Sequence, residues 1–220
     1  ANTTAVNNTA VGMDALKANT TGTRNTAVGT YAGDAITTSY DNTAIGYQAL
    51  SICSTGNSNT IVGSYAADAL TTASYNVGVG QAALGSLTTG ASNVAIGYNA
   101  VSIATTATNN IGIGHAALAL STASNNVAIG YQALDTTSTG DNNVAVGSYA
   151  MDANTTGTGN TAVGSTALDA TTTSSNNVAV GYQTLTNATT GSGNTAVGKG
   201  AMSAVVTGSN NVALGLSALV

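Results

Sequence analysis

The feature that most constrains this chain is a glycine that returns at a fixed interval. Gly12, Gly29, Gly46, Gly63, Gly80, Gly97, Gly114, Gly130, Gly147, Gly164, Gly181, Gly198 and Gly215 are separated by 17 residues, with a single interval of 16. An Asn stands four residues before every one of them, among them Asn25, Asn42, Asn93, Asn126 and Asn177. A fixed short period over a whole chain is the signature of one small structural unit stacked on copies of itself.

Other columns keep the same period. Val, Ile or Leu precedes each Gly, as at Val11, Ile45, Ile96 and Leu214, and Ala follows three residues after it in every coil except that of Thr184. The next position is mostly large and apolar, as at Leu16, Leu50, Leu84 and Leu168. The one short interval loses its residue between Ala117 and Thr122, outside the Asn-to-Gly segment, and loops absorb such changes without loss of register.

Seventeen residues are too few for a pair of helices, and the apolar positions do not follow a 3.6-residue period. Thr43-Ala44-Ile45 and Val127-Ala128-Ile129 instead alternate β-branched and small residues between an Asn and a Gly, the pattern of a short strand ending in a turn. A second strand is expected near the Ala-Leu pair. The sequence thus predicts an all-β protein: a parallel β-solenoid, or β-roll, of thirteen 17-residue coils forming a single domain over 1–220, read as a segment of a longer fibre.

In such a stack the Asn side chains can bond to one another and to turn backbone, and the Gly column (Gly29, Gly46, Gly97, Gly130, Gly181) marks positive φ or close backbone approach. These are structural turn columns. Val11, Val28 and Ile45 are expected to form an inward apolar ladder opposite Leu16, Leu50 and Leu84. The small residues between the β-branched pairs, Ala10, Ala27, Ala44, Gly78, Ala95, Gly112, Ala128 and Ala145, interrupted by Ile61, would then face outward as an interface for another copy.

Composition narrows the function. Only Lys17, Arg24 and Lys199 are basic, so the material for a nucleic-acid groove is missing. The chain contains no Pro, Phe, Trp or Glu, one His (His115) and one Cys (Cys53), and no nucleophile, base and orienter can be assembled from it. No enzymatic activity, cofactor or metal is expected, and Cys53 reads as a small apolar filler. The Asp residues follow no calcium-loop pattern, Gly78-Val79-Gly80 and Gly112-Ile113-Gly114 lack a following phosphate-loop helix, and no apolar run is long enough to span a membrane.

The segments Asn93-Val94-Ala95-Ile96-Gly97-Tyr98-Asn99-Ala100 and Asn126-Val127-Ala128-Ile129-Gly130-Tyr131-Gln132-Ala133 resemble the head repeats of YadA-like trimeric autotransporter adhesins and the repeats of phage and virus tail fibres. The resemblance covers essentially the whole chain. It implies a left-handed β-roll, three chains wide, displayed outside a cell or on a virion surface. The coil here is longer than the usual head repeat by a Thr-Thr-Gly loop, and no coiled-coil stalk or C-terminal membrane anchor is expected within these 220 residues.

The functional expectation is a self-associating fibre or adhesin segment, a homotrimer or filament, displayed on a surface. Tyr47, Tyr98, Tyr131 and Tyr182, each followed by Gln or Asn, are candidate contacts for surface glycans, because an aromatic ring beside an amide suits a sugar. A glycan-binding or ice-binding solenoid is the alternative; the Thr pairs raise the latter, although adjacent residues on a strand point to opposite sides.

Overall fold

The computed structural model describes residues 4–204 and 207–220. The chain is an all-β, parallel solenoid and divides into two compact units, Ala1–Asn110 and Ile111–Val220. The first holds β1 (Thr9–Val11), β2 (Thr26–Val28), β3 (Thr43–Ile45), β4 (Thr60–Val62), β5 (Val77–Val79) and β6 (Val94–Ile96). The second holds β7 (Ile111–Ile113), β8 (Val127–Ile129), β9 (Val144–Val146), β10 (Thr161–Val163), β11 (Val178–Val180), β12 (Thr195–Val197) and β13 (Val212–Leu214). Within each unit every strand pairs in parallel with the next at the repeat register, as Thr26↔Thr43, Ala27↔Ala44 and Val28↔Ile45 in the first and Val127↔Val144, Ala128↔Ala145 and Ile129↔Val146 in the second.

Each coil carries one strand rather than two. The region expected to supply the second strand is a tight corner in which the second and fourth residues after each Gly take left-handed backbone: φ is 53° at Gln48 and 54° at Leu50, and 50° at Gln132 and 52° at Leu134. A side-chain-bearing residue in that region costs about 1–2 kcal/mol. The corner is held by bonds between coils, such as Leu50 N–H to Ala66 C=O (3.0 Å) and Leu134 N–H to Ala150 C=O (3.0 Å). Alternation of φ sign turns the chain within few residues and leaves no room for extended backbone.

The orientation of the strands inverts the expectation. The central residue of each inner strand faces the interior: Ala27, Ala44, Ala95, Ala128, Ala145 and Ala179 are fully or almost fully buried. The flanking β-branched residues are half-buried or exposed, and Ile45, Ile96 and Ile129 keep 37–39% of their surface. The small-residue stripe is therefore core, and the Val11, Val28, Ile45 column lies outside it. Strict alternation fixes that neighbours face opposite ways but not which way is in. The width of the coil decides: where Leu50, Leu84, Leu134 and Leu168 fill the interior from the corner the strand adds only a methyl or a hydrogen, and the larger Ile61 enters in a coil whose corner holds Ala67 instead. Ala10, in the outermost rung of the first unit, is exposed.

A further interior column was not legible in the repeat because its chemistry changes along the chain. It reads Ile36, Cys53, Leu70, Leu87 and Ala104 in the first unit and Ser121, Thr137, Asn154 and Thr171 in the second, all buried. Burial pushes the Cys53 thiol up to about 11, so it stays a protonated filler, its Sγ 3.7 Å from the Gly56 carbonyl oxygen.

Candidate interaction site

The Asn column is the internal staple that the sequence predicts. Asn42 donates its backbone N–H (3.0 Å) and its Nδ2 (3.2 Å) to Asn25 Oδ1, and its Nδ2 also reaches the Gly56 carbonyl (2.8 Å). Asn93 does the same toward Asn76 Oδ1 (2.9 and 3.1 Å) and the Ala107 carbonyl (2.9 Å). In the second unit Asn143 N–H donates to Asn126 Oδ1 (2.9 Å), and Asn177 donates twice to Asn160 Oδ1 (3.0 and 3.2 Å). One side chain thus ties its own coil to both neighbours, and from Asn25 to Asn194 the column is buried where water could not satisfy the amides.

The Gly column explains itself by distance as well as dihedral. Gly29, Gly46, Gly97, Gly130 and Gly181 have φ of 133–139°, and a Cβ on Gly46 would lie 2.5 Å from the Gly63 carbonyl oxygen. Both columns are scaffold, and neither presents a group to a ligand.

Two surfaces remain. The first is the outer face of the strands, where each coil sets two side chains outward, such as Val77 with Val79 and Val94 with Ile96 in the first unit, and Val127 with Ile129 and Val144 with Val146 in the second. These columns hold only Thr, Val, Ile and one Leu, and no charge interrupts them. A large patch of this kind on a soluble protein marks an interaction surface.

The second surface is the corner after each Gly. Tyr47, Tyr98, Tyr131 and Tyr182 are exposed there, at 43–48% of their surface. The structure joins two of them to partners that the sequence reading did not single out. Tyr47 meets Tyr65 edge to face (centroids 5.2 Å, 81°) and Tyr31 on its other side (6.3 Å, 71°). Tyr131 meets Tyr149 edge to face (5.2 Å, 70°) and stacks on His115 (5.1 Å, 20°). Tyr182 instead carries Lys199, whose Nζ lies 5.8 Å from the ring centroid. The signal for Tyr65 and Tyr149 lay in Gly63-Ser64-Tyr65-Ala66 and Gly147-Ser148-Tyr149-Ala150, one coil beyond each Tyr-Gln and shifted by one residue, so that column comparison hides it.

Carboxylates lie beside these rings. Burial raises Asp68, and Asp68 in turn helps raise the Tyr65 phenol, after burial and contact with Tyr47. The Tyr149 phenol is raised first by its side-chain hydrogen bond with Tyr131, then by burial and the charges of Tyr131 and Asp152. Asp135, Asp152 and Asp169 occupy one column in successive coils; burial raises all three, and Asp152 is pushed further by the other two.

The Thr pairs divide their roles. The first member is partly sequestered, donating its hydroxyl to the next coil, as Thr20 Oγ1 to Thr37 C=O (3.1 Å) and Thr71 Oγ1 to Thr88 C=O (3.1 Å), while Thr21, Thr38 and Thr72 are exposed. Among the described residues there is no pocket, and no group of three or more His, Cys or Asp side chains is placed to hold a metal ion. No helix is long and apolar enough to cross a membrane. No family model, no curated protein and no solved structure matches this chain.

Proposed function

We propose that this chain is a non-enzymatic fibre or adhesin segment that associates with copies of itself through the outer strand face and is displayed outside a cell or on a virion. The observation that carries the reading is the uncharged β-branched face of each unit, with Ile45, Ile96 and Ile129 each leaving more than a third of their surface in water. Such a face loses roughly 25 cal/mol of favourable free energy for every Å² left uncovered. A second copy is its natural cover, since the same coil spacing lets the side chains of one ladder seat between those of another. The resemblance of the Asn-Val-Ala-Ile-Gly segments to adhesin head repeats supports a parallel homotrimer and surface display; a filament is the other mode of self-association.

Sedimentation equilibrium of the native chain and of an Ile129→Asp/Val146→Asp variant tests the proposal. Both side chains are at the surface of one protomer, so the variant is expected to keep the circular dichroism of the parent while its oligomer dissociates. A native chain that is monomeric over a wide concentration range, or a variant that assembles normally, overturns it.

A further inference from the structure

The corner rings occur in a two-coil cassette that appears once in each unit. Gly46-Tyr47-Gln48-Ala49-Leu50 is followed one coil later by Gly63-Ser64-Tyr65-Ala66-Ala67-Asp68. Gly130-Tyr131-Gln132-Ala133-Leu134 is followed by Gly147-Ser148-Tyr149-Ala150-Met151-Asp152. Tyr47 to Tyr131, Tyr65 to Tyr149 and Asp68 to Asp152 keep one spacing, and both Tyr pairs have centroids 5.2 Å apart in edge-to-face arrangement. The scaffold does not require this chemistry, because the same corner holds Gln81 and Ala82 in one coil and Ser165 and Thr166 in another. Four aromatic rings kept 39–45% in water are also a cost that a passive corner could avoid.

We infer that the Tyr47/Gln48/Tyr65/Asp68 cassette and its copy Tyr131/Gln132/Tyr149/Asp152 are two subsites for hexose rings of a neutral polysaccharide. The inference rests on the surface-adhesin reading and gives that surface a ligand class. The four rings keep 39–45% of their surface in water, which leaves part of each to the C–H side of a pyranose, although His115 already stacks on one face of Tyr131. The flanking amide and carboxylate supply a donor and acceptors for its hydroxyls, and Gln132 Nε2 is already oriented by Asp135 Oδ2 at 3.3 Å. A net charge of −5 disfavours an anionic glycan. Half-burial of Asp68 and Asp152 disfavours their use as counter-ions for an ammonium group. Two subsites on one chain strengthen attachment to a polymer without any new contact.

The test uses the full chain with microcrystalline cellulose, chitin, chitosan and alginate as probes, reading bound fraction by depletion. Retention on cellulose or chitin is expected, roughly tenfold weaker in Tyr47→Ala/Tyr131→Ala, which is about 1.4 kcal/mol, and little changed in Tyr47→Phe/Tyr131→Phe. Neither position has left-handed backbone, so both pairs of substitutions suit the corner. No retention on either neutral polymer, retention unaffected by the Ala pair, or retention on chitosan alone overturns the inference, the last in favour of an amine site. Sedimentation of the same samples separates the two readings: loss of polysaccharide binding with the oligomer intact removes the subsites and leaves self-association standing.

Discussion

Ile61 and Gly78 share one layer of the interior of the first unit, and each fits because of the other. They are register partners in β4 and β5, and a Cβ built on Gly78 would lie 3.2 Å from Ile61 Cδ1 and 3.2 Å from Leu84 Cδ1. Ile61, completely buried, fills with its extra carbons the space that its neighbour leaves empty. In the preceding rungs of the unit the same pair is Ala on Ala, at Ala10 with Ala27 and Ala27 with Ala44.

This compensation predicts a non-additive pair. Ile61→Ala alone should leave a void and cost about 2–5 kcal/mol. Gly78→Ala alone should overpack and cost about 1–3 kcal/mol. The double substitution restores the Ala–Ala pairing of the preceding rungs and should cost at least ~1 kcal/mol less than the sum. Denaturant unfolding of the four proteins measures the coupling, and strict additivity would show that the two sites do not share their space.

Thr137 gives a stabilising prediction. It is fully buried in the second unit, and its Oγ1 has no hydrogen-bond partner, whereas Thr171 in the same column donates to the Ala188 carbonyl (2.9 Å). Thr137→Val keeps the shape and removes an unsatisfied hydroxyl, so it should raise stability by about 1 kcal/mol. Thr171→Val should lower it, because the exchange breaks a made bond. Thermal melts of the two variants should move in opposite directions; equal shifts would refute the difference in partnering.

The carboxylate column predicts a response to pH. Burial lifts Asp135, Asp152 and Asp169 above the ordinary value of 3.8, and Asp152 is lifted further by its two neighbours. A raised carboxyl binds protons more readily folded than unfolded. Its stabilising contribution is therefore complete below the unfolded value and is lost as pH rises through the folded one. Asp41 shifts downward beside Arg24, but that ion pair is fully exposed and weighs little against the column. The melting temperature should thus rise as pH is lowered from about 7 toward the ordinary carboxyl range. Asp152→Asn should raise it at neutral pH and flatten the profile. A native protein that melts progressively lower over that interval, or an unchanged profile in the variant, contradicts a repulsive column.

Sequence periodicity delivered the coil, its length, the strand position, the parallel register and the Asn staple, because every rung repeats the same residue types there. It did not deliver the facing of the strand. Val28 and Ile45 look like core by hydrophobicity and Ala27 and Ala44 like surface, but interior width, a property of the closed coil, reverses them. The corner misled for a related reason: nothing in Gln48 or Leu50 announces left-handed backbone, which the bonds between coils impose. The Tyr pairs escaped column comparison since Tyr47 and Tyr65 occupy different columns and meet only when adjacent coils are superposed in space.

The Asn-to-Gly segment also makes length a counted rather than a continuous quantity. Each coil hands its neighbour the same amide, the same carbonyls and the same methyl-sized layer, so a whole coil gained or lost changes how many rungs a unit has and alters no kind of contact within it. A partial coil would strand an Asn opposite the wrong backbone group. Only the outer loop tolerates a fraction: Thr122 N–H bonds Ser138 as Thr71 N–H bonds Thr88, so the short coil drops its residue after Thr122 rather than between Ala117 and Thr122 as the sequence suggests. A gene encoding such a chain can therefore be lengthened or trimmed like a ruler cut only at its graduations, each worth about 4.8 Å along the stacking direction.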